Sequence, residues 1–219
     1  MQDAEEAFLQ AIALNNEYAR AYVGLGGVYL KRSAKLLDVA ISSGQAADPK
    51  AAQWVEQAIE SYQKVLELKP DPEQYGNPVE DVARLALGNA YRLKGAIAVT
   101  QGDATSALDA LDQAIQTLEE VRPVFETSTQ EHESYRRYLA QTYEYLGDAY
   151  QGQGLVFEQV SDLPQLLASY EQSLYFYNQC IAQSKNSPDL IIQKEIVGLR
   201  CQPKYQETKV RYDNFKGEQ

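Results

Sequence analysis

Leu-Gly-x-x-Tyr occurs three times in this chain, as Leu25-Gly26-Gly27-Val28-Tyr29, Leu87-Gly88-Asn89-Ala90-Tyr91 and Leu146-Gly147-Asp148-Ala149-Tyr150. Chance gives about a tenth of one copy in a chain of this composition, so the motif marks an internal repeat. Glycine inside a helix costs about 1 kcal/mol relative to alanine. Three glycines at matched positions therefore need a shared reason. Glycine and the tyrosine three residues later lie on one helical face. The expected reason is close approach of a neighbouring helix, which a side chain at the glycine would prevent.

The rest of the chain has helical spacing, and no stretch alternates as a strand does. Asp48-Pro49, Asn77-Pro78 and Ser187-Pro188 each set a capping side chain before proline, a helix-start signal. Gly102-Asp103 reads as a stop followed by a new cap, and Ser161-Asp162 before Pro164 as a further start. The spacing predicts helices over 3–15, 17–43, 49–69, 79–101, 103–122, 130–152, 163–185, 189–200 and 204–215. Loops are short except the proline-rich 70–78, and short loops between long helices make neighbours antiparallel.

A second pattern falls on the helices between the motifs. Ala4, Phe8 and Ala11-Ile12 form one copy, and Ala58, Tyr62 and Val65-Leu66 another. Ala107, Leu111 and Ala114-Ile115 form a third; Ser173, Tyr177 and Cys180-Ile181 form the loosest. Each is a helical stripe of alternating bulk. Together with Leu-Gly-x-x-Tyr, the stripe resembles the tetratricopeptide repeat, a helix–turn–helix unit that stacks into a right-handed superhelix. Tyr18-Ala19-Arg20-Ala21-Tyr22 leading to Leu25-Gly26 and Tyr29 is similar to the first helix of a unit. Ala58 through Leu68-Lys69-Pro70 is similar to a second helix and its closing proline. The resemblance implies an all-α array of antiparallel helix pairs over residues 1–188, with 189–219 as C-terminal capping helices and tail.

The spacing departs from the family unit of about 34 residues, because the motif glycines stand at 26, 88 and 147. Lengthened helices absorb the difference. Residues 3–15 resemble only a second helix, the pattern of a longer array entered part-way. They would leave Phe8, Leu9 and Ile12 open to a neighbour and so to self-association. At the other end, Ile191, Ile192, Ile196 and Leu199 are expected to cover the last unit, with Lys194, Arg200, Lys204 and Lys209 outward.

Composition narrows the partner. The formal net charge is -11, which disfavours nucleic acid and anionic membranes, whose surfaces want Lys and Arg. No apolar run approaches the roughly 20 residues of a membrane span. The single histidine, His132, and the separated Cys180 and Cys201 complete no metal cluster or catalytic set. Glycines 24, 26 and 27 lack the Gly-Lys-Ser/Thr ending of a phosphate loop. The reading is a non-enzymatic protein without cofactor, with reduced thiols and a cytoplasmic location.

The resemblance also implies a concave face lined by the first helix of each unit. Its candidates for contacting a protein or peptide are Arg20, Val23, Gly27 and Lys31, then Leu85, Asn89 and Arg92, then Gln141, Glu144, Tyr145, Asp148 and Gln151. Some members hold a peptide's terminal carboxylate with Lys, Asn and Arg. Gly27 and Asp148 stand where such a site repeats Asn89, and Asp148 with Glu144 would repel a carboxylate. Sixteen tyrosines are many for this chain, and Tyr145 is the one expected to stand exposed. The function expected is a protein–protein interaction module, with a structural or oligomerisation segment as the alternative.

Overall fold

The computed structural model describes residues 2–70, 78–185 and 187–217, and every regular element among them is helical. The elements are α1 (Gln2–Leu14), α2 (Ala19–Ser43), α3 (Pro49–Leu68), α4 (Val79–Gln101), α5 (Ala104–Glu131), α6 (Arg136–Gln159) and α7 (Leu163–Ala182). A π-helical segment, Ile191–Cys201, then runs directly into α8 (Gln202–Lys216). Most of the 70–78 loop, with Asn77, lies outside the described residues.

The second helix of each pair is started by an aspartate. Asp48 accepts from the Lys50 N–H (2.8 Å), Asp103 from Ser106 (3.0 Å) and Asp162 from Gln165 (3.2 Å). These bonds satisfy donors that the helix itself leaves orphaned. Gly44 and Gly102 close α2 and α4 in the left-handed region, at φ 65° and 72°, where glycine has no side chain to clash.

The motif glycines are contact points. A β-carbon on Gly26 would lie 2.7 Å from the Tyr62 ring, and the Ser33 hydroxyl donates to the Ala51 carbonyl at 2.7 Å. As numbers rise along α2 they fall along α3, so the pair is antiparallel. Gly88 meets Leu118 and Gly95 meets Leu111, both at 2.6 Å. Gly147 meets Tyr177 at 2.6 Å and Gly154 meets Tyr170 at 2.3 Å. Each pair thus has two close approaches one heptad apart. This shifts one register read from sequence: Leu118, not Leu111, is the counterpart of Tyr62 and Tyr177. Leu111 serves the outer approach and also fills the open side of Gly152 on α6, 3.1 Å from where its β-carbon would be.

The pairs α2–α3, α4–α5 and α6–α7 pack in sequence, and α2 also touches α4 as α4 touches α6. One apolar cluster joins α2, α3 and α4 through Leu25, Val55, Tyr62, Leu87 and Ile97. A second joins α4–α7 to the C-terminal segment through Leu85, Leu118, Phe125, Leu146 and Ile192. Helix α1 packs on α2 through Phe8, which fills the open side of Gly24. It leaves Leu9 47% and Leu14 90% exposed.

Several expectations are corrected. The helix expected over 103–122 continues through Pro123 to Glu131, because Val121 and Phe125 are fully buried on either side of the proline. Arg122 reinforces the turn by pairing with Glu119 (2.7 Å) and Glu126 (2.6 Å). The helix expected over 130–152 accordingly starts at Arg136 and reaches Gln159. The two C-terminal helices are one continuous helical run in which Ile192, Ile196 and Val197 are buried, while Ile191 and Leu199 are exposed. Cys180 and Cys201 form a disulfide, with α-carbons 6.4 Å apart, fastening this run to α7. Bonded cysteines bear against the reduced thiols expected from sequence.

Candidate functional site

Aligning Gly26, Gly88 and Gly147 places the face shared by α2, α4 and α6. Gly27, Asn89 and Asp148 hold one position of it, and Arg20, Val82 and Gln141 another. Arg20, Gly27 and Lys31 are exposed, and Val23, Asn89, Arg92, Gln141 and Gln151 are half-buried. Lys31 holds the register of Gly152, whose open side takes Leu111 from the preceding helix. At Gly152 that position serves helix–helix contact, whereas Lys31 stands exposed.

The remaining candidates need correction. Leu85 is 4% exposed and sits in the core with Leu118, Val121 and Phe125, so it is not a contact residue. Glu144 is 2% exposed, covered by the C-terminal helical run. Tyr145 is half-buried, with the Arg92 guanidinium 5.5 Å above its ring centre. Asp148 is half-buried and already paired. Arg200 and Lys204, expected outward, turn inward because the Glu144 and Asp148 carboxylates, with side chains 2% and 10% exposed, need counter-charges.

These groups form one charged seam. Arg92 donates through Nε to Asn89 Oδ1 (2.9 Å), and its Nη1 lies 3.3 Å from Asp148 Oδ2. Lys204 Nζ donates to both Asp148 oxygens at 2.8 Å and to Glu144 Oε1 at 3.0 Å. Arg200 Nη1 stands 3.2 Å from Glu144 Oε2. Tyr177 donates its hydroxyl proton to Asp148 Oδ1 at 2.7 Å. Burial raises the Glu144 carboxyl above its usual range; Lys204 and Arg200 oppose this, and Asp148 adds to it. Asp148 goes the other way. Burial works against its charge, but Lys204 and Arg92 outweigh it and hold the carboxyl below its usual range. Burial likewise works against the Lys204 charge, and Asp148 and Glu144 outweigh it, raising the ammonium.

Beside the seam, at the end where α4, α6 and the C-terminal run begin, lies a cleft of about 780 Å³. Its apolar wall is Pro78, Tyr135, Tyr138, Ile191 and Ile196; Ser134, His132 and Gln141 supply hydrogen-bonding groups. Phe125 fixes the two tyrosines from behind, with ring centres 6.4 Å from Tyr135 and 5.4 Å from Tyr138. Arg137 and Asp189 pair with one another at the rim, leaving the mouth without a net charge from that pair. Of the concave-face candidates, only Gln141 lines this cleft. Tyr135 and Tyr138 carried no assigned role in the sequence, and His132 completed no metal cluster or catalytic set there. His132 is exposed and flanks the 3₁₀ turn Glu133–Tyr135 that leads into α6.

No family model matches the sequence, and no curated protein or solved structure matches it. Among the described residues, no group of three or more His, Cys, Asp or Glu side chains is placed to hold a metal ion, and no helix is long and apolar enough to cross a membrane.

Proposed function

We propose that the chain is a non-catalytic protein–protein interaction module of the tetratricopeptide type, with lengthened helices, and that it takes an extended peptide segment at the rim of its concave groove. The observation that carries this reading is the cleft at Tyr135, Tyr138 and Gln141, set where successive first helices lie side by side. Its volume falls within the range of ligand pockets, about 300–1,000 Å³. Rigid aromatic walls bury apolar side chains at little entropic cost, and the Gln141 amide can both donate to and accept from a peptide backbone.

The test is selection of binders from a random peptide display library on the immobilised chain. Recovered peptides should share a motif with an apolar anchor. Tyr138→Asp should weaken their binding by at least about tenfold, or roughly 1.4 kcal/mol. Equal binding by Tyr138→Asp would refute the cleft as the site.

The open side of α1 favours a second reading, a structural or oligomerisation segment of a larger multidomain protein. Exposed Leu9 and Leu14 give such a contact its apolar centre. Sedimentation should then show mass rising with concentration, and Leu9→Glu with Leu14→Glu should abolish the rise; a concentration-independent monomer would end this reading. On location, the Cys180–Cys201 bond supports an oxidising compartment over the cytoplasm. A purified chain carrying two free thiols would reverse that choice.

A further inference from the structure

Each motif glycine lies under a side chain of the second helix in its pair: Tyr62 over Gly26, Leu118 over Gly88 and Tyr177 over Gly147. The C-terminal run repeats this arrangement in part. Val197-Gly198-Leu199-Arg200-Cys201 has the glycine spacing of Leu-Gly-x-x-Tyr, with Val197 and Cys201 2% and 0% exposed. The run also sits where a next first helix belongs. Helix α4 lies against α2 and α3, α6 against α4 and α5, and the run with α8 against α6 and α7. A β-carbon on Gly198, however, would meet only the Gln193 carbonyl oxygen of the run itself, at 3.1 Å. Among the described residues no second helix covers it.

Helix α1 is the converse. Its stripe of Ala4, Phe8 and Ala11 matches Ala58, Tyr62 and Val65 of α3. In α3 this stripe faces α2, and Ala58, Ser61 and Val65 are 0%, 7% and 0% exposed. In α1 the matching Ala4 and Ala7 are exposed and Ala11 is half-buried. Leu14 continues the same face and is 90% exposed.

The two surfaces are complementary. A π-turn closes i to i+5, so Leu190, Lys194 and Leu199, four and five apart, share a face of the run. The leucines are 59% and 74% exposed, and Lys194 makes no ion pair among the described residues. Residues 3–18 carry Asp3, Glu5, Glu6 and Glu17 and no Lys or Arg. Residues 189–219 carry six Lys/Arg and five Asp/Glu, net +1, in a chain of net charge -11.

We propose that the chain associates head to tail. Helix α1 of a second copy lies along the face of Leu190 and Leu199 and supplies the second helix over Gly198, so that two copies share one helix pair. Leu14, Leu190 and Leu199 form the apolar centre of the contact, and the acidic head meets the positive tail. The contact joins two different surfaces, so it does not close at a dimer but extends from copy to copy. It rests on the oligomerisation reading, for which it names the second surface.

The test is sedimentation of the full chain and of two variants. Ala7→Lys with Leu14→Lys blocks the head, and Leu190→Glu with Leu199→Glu blocks the tail. All four residues are exposed, so neither variant loses a core contact; unchanged circular-dichroism spectra check that both stay folded. The mass of the unmodified chain should rise with concentration beyond that of a dimer. Each variant alone should stay a monomer. An equimolar mixture should form a dimer and nothing larger, because it holds one working head and one working tail.

A tail-blocked variant that associates like the unmodified chain would overturn the proposal and leave the oligomerisation reading in place, since α1 would then meet another surface, such as a second α1. A mixture that stays monomeric would overturn the proposal as well. An unmodified chain of constant monomer mass would end both.

Discussion

Neighbouring glycines on α2 have opposite roles. Gly26 is buried with Tyr62 where its β-carbon would go, 2.7 Å away. Gly27 is exposed, and the nearest atom to its missing β-carbon is the Tyr62 hydroxyl oxygen at 4.0 Å. Gly27→Ala should therefore stabilise by up to about 1 kcal/mol, the helix-propensity difference. Gly26→Ala should destabilise by about 1–3 kcal/mol through overpacking. Denaturant unfolding of both variants measures the contrast, and equal shifts would remove the packing account. Asp148 allows a pH prediction. It faces Lys204, Arg92, Tyr177 and Glu144, and its carboxyl is held below the usual range. Its contribution to stability is thus present above the ordinary aspartate value, about 3.9, and is lost as pH falls through the lowered folded value. Melting temperatures should fall less steeply with acid in Asp148→Asn than in the unmodified chain.

At this scale the motif glycines were legible in the sequence, because a repeated helix-breaking residue needs a contact to justify it. The second approach, at Gly95 and Gly154, carried a signal as well, a glycine one heptad after the first. It passes unnoticed because in α2 the same position is Ser33. The inward turn of Lys204 had no local signal. It depends on Glu144 being covered by a helix 60 residues later in the chain.

Elements followed from sequence where local chemistry decided them. Asp48, Asp103 and Asp162 start helices where capping residues were expected, and Gly102 stops one. Local chemistry misled where tertiary packing overrode it. The helix expected to end at residue 122 does not stop before Pro123, because burial of Val121 and Phe125 carries α5 across it. The override has a cost, since proline inside a helix is less favourable than alanine by up to about 3 kcal/mol. Pro123→Ala should therefore raise stability, read as a higher denaturant midpoint with unchanged slope. A lower midpoint would mean that the turn at Arg122 requires the proline. The π-helical segment was not legible either. Its wide turns set Ile192, Ile196, Val197 and Cys201 into the last pair's core, and the disulfide partner, Cys180, lies on another helix.

At the scale of the whole molecule, alternating charge ties α4, α6 and α8: Arg92 on α4 faces Asp148 on α6, which faces Lys204 on α8. Antiparallel helix pairs pack in sequence from α2 to α7, and the C-terminal run covers part of α6. Candidates Glu144, Tyr145 and Asp148 serve the seam, and the open ground has moved to the cleft beside Gln141. Nothing local in the sequence shows which of these positions the C-terminal run covers. The most direct test is NMR mapping with a peptide recovered by selection, titrated into isotope-labelled full chain. The account predicts the largest shifts at Tyr135, Tyr138, Gln141 and Ile191. Shifts confined to α3 and α5, with the cleft residues silent, would contradict it.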